Sequence, residues 1–260
     1  MRVINLGSGS DGNLTYLEND GIKVLIDAGI SCTEITKRLA LIGVRPSEID
    51  AIFVTHEHGD HIKGLDVYAS KYNIPVYAHE KVWISMDDKL SRISSLNRKV
   101  YTDNFDFKGL NILPVEVPHD VTCFGYSFEK DNRKVSILTD LGHTNDRILG
   151  SIANSQLVYL ESNYDKQMLI NGTKYPLSLK RRIDGPNGHL SNDASADAVE
   201  FLAATGTRQI VLAHLSKENN SPDLAYENMC EKLEERGIHE GLDIKVDVAS
   251  PDPGRFFRLR

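Results

Sequence analysis

Residues 56–61 read His-Glu-His-Gly-Asp-His and follow directly on the apolar run Ala51-Ile52-Phe53-Val54. Three histidines and an aspartate therefore stand in one loop at the mouth of a predicted buried strand. With nine histidines in all of its 260 residues, the chain does not place three of them there through composition alone. No packing argument requires them either, whereas imidazole and carboxylate are the ligands of Zn²⁺, Mn²⁺ and Fe²⁺. So short a loop does not easily give all four side chains to one ion. Two adjacent ions can share them, with His56 and His58 alternating toward one, and Asp60 and His61 turned toward the other.

The length suits one large domain or two small ones, and 40 % hydrophobic residues can build a sizeable core. No run of eighteen apolar residues exists, so no membrane-spanning helix is expected, and the stretch from Met1 to Gly7 turns polar too soon for a signal peptide. Cys32, Cys123 and Cys230 fit neither a disulfide framework nor a thiolate metal site, which points to unpaired thiols in a reducing cytoplasm. A net charge of −7 argues against a nonspecific nucleic-acid coat protein but not against a nucleic-acid enzyme, since two divalent ions would add positive charge where a phosphate docks. Cations cluster locally: Lys174, Lys180, Arg181 and Arg182 lie close together, and Arg255, Arg258 and Arg260 end the chain.

Short apolar or alternating runs predict strands at Val3–Leu6, Leu14–Glu18, Ile22–Asp27 and Ala51–Thr55. Further strands are expected at Pro75–Ala78, near 110–117, 123–129 and 133–139, at Leu157–Glu161 and Gln209–Ala213, and near 243–248 and 255–259. Ser31 and Glu34 form a capping-box pattern opening a helix to about Ile42. Helices are also expected at Ile62–Tyr72, 80–96, 145–153, from a cap at Asn192 through Ala204, and at 222–236. Residues 164–188 read as helix fragments and loop. With neither linker nor repeat, this alternation predicts a single α/β domain over 1–260, an αββα four-layer sandwich.

Further polar residues stand at predicted strand ends: His119, Asp140 and His214, each closing an apolar run, where sites on sheets are built. In the order His, Asp, His behind an H-x-H-x-D-H loop, they complete a pattern that resembles the metallo-β-lactamase-fold hydrolases. The resemblance implies the same αββα architecture and a dinuclear centre, with His56, His58 and His119 on one ion, Asp60, His61 and His214 on the other, and Asp140 bridging. Zn²⁺ and Mn²⁺ suit such ligands, and Fe²⁺ is possible. A water held between two cations loses its proton near neutral pH and becomes a hydroxide nucleophile, while the same cations neutralise the attacked phosphate or carbonyl. Asp27 corresponds to the family's aspartate that supports the ligand loop, as metal-bound imidazoles donate their other N–H to such a carboxylate. Thr55 is a second candidate for that support.

Narrower matches are Ser8-Gly9-Ser10-x-Gly12-Asn13, Leu160-Glu161-Ser162-Asn163, Leu179-Lys180-Arg181-Arg182-Ile183, Gly188-His189-Leu190-Ser191-Asn192 and Ala213-His214-Leu215-Ser216-Lys217-Glu218-Asn219-Asn220. Together they resemble the WalJ/YycJ group of bacterial metallo-β-lactamase-fold proteins over nearly the whole chain. That group implies a 5′-to-3′ exonuclease on double-stranded DNA with a part in DNA repair. In the related ribonuclease Z branch, a histidine at the place of His189 contacts the scissile phosphate and can protonate the leaving oxygen. The resemblance thus implies His189 and Asp60 as catalytic residues, and Lys180, Arg181, Arg182, Ser10, Asn13 and Asn163 at the substrate. The sequence departs from the group at Tyr164, where a histidine is expected. The stretch from His119 to Asp140 is too short for the tRNA-binding arm of ribonuclease Z, and the span from Asp140 to His214 holds no β-CASP domain.

Nucleic acid, DNA rather than RNA, is the expected partner, with no membrane role. The competing reading is hydrolysis of a small phosphodiester, a thioester or a lactone. A non-catalytic regulatory module is disfavoured by the complete ligand set.

Overall fold

A computed structural model describes residues 1–252 and the backbone of 256–258, and divides the chain into two compact units. The first is Met1–Lys108 together with the chain from Ser250 onward; the second is Gly109–Ala249.

The first unit opens with β1 (Arg2–Gly7), β2 (Leu14–Asn19) and β3 (Ile22–Ile26), then α1 (Cys32–Leu41), β4 (Ala51–Phe53), α2 (Gly59–Ile62), α3 (Leu65–Tyr72), β5 (Val76–His79), α4 (Glu80–Met86), β6 (Arg98–Tyr101) and β7 (Phe105–Phe107). The first three strands form an antiparallel meander, and β3 to β6 continue the sheet in parallel. β4 is buried at all three positions, Ala51, Ile52 and Phe53, as its unbroken apolar run requires of a central parallel strand. Helix α1 is capped by Ser31, whose side chain accepts from the N–H of Glu34, and it buries Ile35 and Leu39, four apart on one face.

The second unit holds β8 (Leu110–Val117), β9 (Cys123–Lys130), β10 (Arg133–Leu138), α5 (Asp146–Ile152), β11 (Leu157–Glu161), α6 (Lys166–Asn171), α7 (Leu177–Ile183), α8 (Asn192–Ala204), β12 (Gln209–Ala213), α9 (Pro222–Glu234) and β13 (Lys245–Val248). Its strands run in the order β13-β12-β11-β10-β9-β8, with β10 to β13 parallel and β8 to β10 antiparallel. Val199 and Leu202 of α8 and Met229 and Leu233 of α9 pack into one core with Val158, Leu160, Ile210 and Leu212 of the strands. Burying each such side chain stabilises the fold by about 1.5–3 kcal/mol. After β13 the chain returns to the first unit, where β14 (Phe256–Arg258) pairs antiparallel with β1.

The predicted elements are corrected in four places. The expected helix Ile62–Tyr72 is two helices, α2 and α3, divided at Lys63–Gly64; a Cβ on Gly64 would lie 2.1 Å from the Ile30 carbonyl oxygen, so the chain turns there in close backbone contact. The expected helix 80–96 ends at Met86 and continues as short 3₁₀ turns. Strands β6 and β7 were not expected, because the exposed Lys99 and Val100 of β6 break any alternation of apolar and polar residues. Ser191, not Asn192, caps α8, its side chain accepting from the N–H of Ala194. Of the strand expected near 255–259, residues 255 and 259 lie outside the described residues, as do the side chains of Arg255, Arg258 and Arg260. No helix among the described residues is long and apolar enough to cross a membrane, and the three cysteines are free thiols.

Candidate metal centre

In the first unit, β3 and β4 run parallel, and the residues just beyond their ends meet. Asp27 follows β3 with a left-handed backbone (φ 62°), which costs a non-glycine residue about 1–2 kcal/mol. That turn aims its carboxylate at the His-rich loop. Oδ1 accepts from the N–H of Thr55 at 2.9 Å, and Oδ2 lies 2.7 Å from Nδ1 of His61. The Thr55 hydroxyl is 3.0 Å from Oδ2 of Asp27 and 3.0 Å from Nδ1 of His56. A hydrogen bond from Nδ1–H to the carboxylate fixes the His61 tautomer that carries its lone pair on Nε2, the form a metal ligand needs. Asp27 and Thr55, the residues expected to support the loop, thus lie within hydrogen-bonding distance of His61 and His56.

The imidazoles are gathered tightly. The ring centroid of His56 is 4.7 Å from that of His58 and 4.1 Å from that of His61. His58 immediately precedes α2, which carries Asp60 and His61. Asn13 reaches across from the β1–β2 loop: Nδ2 is 2.9 Å from Nε2 of His61 and donates to Oδ2 of Asp60 at 3.2 Å. Its own N–H donates to the Asp60 carbonyl at 2.7 Å. Gly29 presses against the same carbonyl so closely that a Cβ there would lie 1.6 Å from the oxygen. Asn13, expected at the substrate, thus braces the ligand loop, while Ser10 stands exposed in the turn before it.

In the second unit, strand ends again carry the polar residues. His214 follows β12 directly and Asp140 follows β10 by two positions, both with left-handed backbones (φ 56° and 61°). Glu161 ends β11 between them and is fully buried. One ligand atom each of Asp140, Glu161, His189 and His214 lies within 4.8 Å of the others. Oε1 of Glu161 is 2.7 Å from Nδ1 of His214 and 2.8 Å from Nδ1 of His189, and Oε2 accepts the N–H groups of Leu141 and Leu190. Burial pushes the Glu161 carboxyl upward, but His189 and His214 together hold it well below the usual carboxylate range. Burial likewise disfavours the charged form of His189, yet Glu161 and then Asp140 outweigh it and raise that imidazole above its ordinary value.

The His189 ring centroid lies 5.4 Å from that of His119 and 5.4 Å from that of His214. His119 sets Nδ1 3.2 Å from the Gly188 carbonyl and Nε2 3.2 Å from Asp120, which in turn pairs with Arg182. Glu161, which joins this cluster, is the residue that sequence reasoning passed over as part of a matching segment. Its signal was the one that marked His119, Asp140 and His214, a polar residue closing an apolar strand. The expected substrate contacts have different local partners. Lys180 gives its ammonium to the carbonyls of Ile170 (2.7 Å) and Gly172 (2.5 Å), Asn163 is buried with Nδ2 on the His214 carbonyl at 2.7 Å, and Arg181 is exposed. Tyr164 is buried and donates its hydroxyl to Asp184 at 2.6 Å, so it faces the C-terminal end of α7.

The donors fit a divalent ion: in the first unit His61 has its Nδ1 held by the Asp27 carboxylate and stands beside Asp60, and in the second His119 and His214 have theirs on the Gly188 carbonyl and on Glu161, near Asp140. A family model for the β-lactamase superfamily domain matches residues 23–215. The chain is 40 % identical over 252 residues to exodeoxyribonuclease WalJ of Streptococcus pneumoniae, covering 95 % of this chain and 93 % of that one. It is 38 % identical to exodeoxyribonuclease YycJ of Bacillus anthracis, covering 95 % and 94 %. The metallo-β-lactamase-fold protein YhfI of Bacillus subtilis superimposes with a TM-score of 0.73 over 98 % of each chain at 16 % identity, which confirms the expected α/β fold. The chain therefore belongs to the β-lactamase superfamily, as a member of the WalJ/YycJ group of metallo-β-lactamase-fold hydrolases.

Proposed function

We propose that the chain is a phosphodiesterase acting as a 5′-to-3′ exonuclease on double-stranded DNA, its 260 residues working as one cytoplasmic catalytic domain. The observation that carries this reading is His189, held by Glu161 beside Asp140 and between the rings of His119 and His214. A histidine so placed is oriented by a buried carboxylate that favours its imidazolium form, as suits a group that gives a proton to a leaving oxygen.

His56, His58 and His119 would hold one divalent ion, Asp60, His61 and His214 the other, with Asp140 between them. Once bound, the ions, Zn²⁺, Mn²⁺ or Fe²⁺, would supply an activated water and neutralise phosphate charge. This chain's residues do the rest. Asp27 and Thr55 fix the His61 and His56 tautomers, and Asn13 sets the loop. Glu161 keeps Nδ1 of His189 and His214 in place. His189 donates its proton to the departing 3′ oxygen, and Asp60 completes the catalytic pair. Arg181 and Arg182 meet the phosphate backbone, Arg182 being carried on Asp120 next to His119.

The test is a panel of metal-replete protein against 5′-labelled duplex DNA, single-stranded DNA, RNA, bis-p-nitrophenyl phosphate, a thioester and a lactone. Release of nucleotides from duplex 5′ ends is the expected outcome. Turnover confined to the small compounds would replace the nuclease reading with that of a small-molecule hydrolase.

A further inference from the structure

Between Lys166 and Ile183 the chain carries Lys166, Lys174, Lys180, Arg181 and Arg182 with no aspartate or glutamate, although its net charge is −7. This stretch is α6, α7 and their connection, most of it exposed and anchored chiefly by Leu169 and Ile183 packed against Tyr164. Two aliphatic side chains stand in solvent there, Ile170 at 57 % and Leu177 at 62 % exposure. The Lys180 ammonium on the Ile170 and Gly172 carbonyls ties α7 to the end of α6. Leu177 and Arg181 are one turn apart on α7 and so share a face. That face points away from Leu179 and Ile183, which pack inward.

Cations alone would serve a phosphate backbone, whereas Ile170 and Leu177 add apolar surface to the same basic stretch that a phosphate does not use. Along a duplex every base is covered by its neighbours, but at an end the flat apolar face of the last pair is open. Aliphatic side chains set against base faces are a known way of binding unstacked steps, and a neighbouring guanidinium can take the adjoining phosphate. A membrane surface fits less well, since the seven residues of α7 span only about 10 Å and give no extended amphipathic face.

We propose that Ile170 and Leu177 cover the terminal base pair of duplex DNA while Arg181 holds the phosphate beside it. The inference rests on the DNA reading above and adds to it a reason for acting at ends. Open ends offer an apolar face that closed duplexes lack, so they are bound more tightly.

The probe is a duplex with phosphorothioate linkages and 2-aminopurine at its open terminal pair, compared with the same sequence closed by hairpins at both ends. Digestion of ordinary linear duplex by the parent protein is measured first; failure there sinks the DNA reading itself, and this inference with it. With that in hand, the double variant Ile170→Ser/Leu177→Ser should bind the open-ended probe about tenfold more weakly, a change of about 1.4 kcal/mol. It should also lose the terminal 2-aminopurine fluorescence increase while binding the closed probe as the parent does. A control, Leu242→Ser, exposed and far along the sequence, should change neither signal, and melting curves check that each variant is folded. Parent-like binding and fluorescence in the double variant would overturn the inference while leaving the nuclease reading intact. So would loss of binding to anionic phosphatidylglycerol vesicles with DNA binding unchanged.

Discussion

Oε1 of Glu161 lies 2.8 Å from Nδ1 of His189, and that carboxylate is fully buried. The same oxygen serves His214 at 2.7 Å, so one carboxylate orients both a proposed proton donor and a proposed metal ligand. Replacing it by Glu161→Gln keeps the shape and removes the charge. The negative charge favours imidazolium, so its loss should lower the protonation midpoint of His189, read by NMR of the metal-free protein. Metal affinity or turnover should fall by about 10–100-fold. An unmoved midpoint would show that Glu161 is only a packing residue.

Metal content follows from the seven ligands named. Chelator-free protein should carry about two divalent ions per chain. Asp140→Ala should lower the occupancy of both, because Asp140 would stand between them. Elemental analysis showing one site unaffected would remove the bridge.

His189→Ala separates chemistry from support. Both ions should remain, and turnover on DNA should drop by about 10²-fold or more. Hydrolysis of bis-p-nitrophenyl phosphate should suffer far less, since p-nitrophenolate leaves without a proton. Equal losses on the two substrates would make His189 structural.

The Lys-Arg-Arg run divides by partner. Arg181→Gln and Arg182→Gln should each flatten the salt dependence of duplex binding by about 0.9 of a log-log unit. Lys180→Gln should leave that slope alone and lower the melting temperature by about 2–4 °C, the effect of losing about 1 kcal/mol of capping. A slope change for Lys180→Gln of the same size as for the arginines would return all three residues to the DNA interface.

The ligand loop was legible because β4 is an unbroken buried run and His56 comes three residues after it. Strands β11 and β12 were legible to the residue for the same reason, buried apolar runs closed by a polar residue. Edge strand β6 was not, since its half-exposed Arg-Lys-Val carries no periodicity. The pairing of Glu161 with His189 and His214 spans 28 and 53 residues, and nothing local to Glu161 announces it. The basic run could be read as charge but not as geometry. Whether the Lys180 ammonium meets water, phosphate or two carbonyls is decided by where α6 ends.

Asp27, Asp140 and His214 each close a strand in the backbone region that glycine occupies most readily. Glycine at Asp27 would ease that backbone by about 1–2 kcal/mol. It would also strip the buried Thr55 N–H and His61 Nδ1 of their acceptor, at about 1–3 kcal/mol for each. Heat resistance and activity therefore guard this aspartate together, and a library screened only for survival of heating should keep it as firmly as one screened for nuclease activity. Recovery of Asp27→Gly among the heat survivors would show that the bent backbone weighs more than the hydrogen bonds it makes possible.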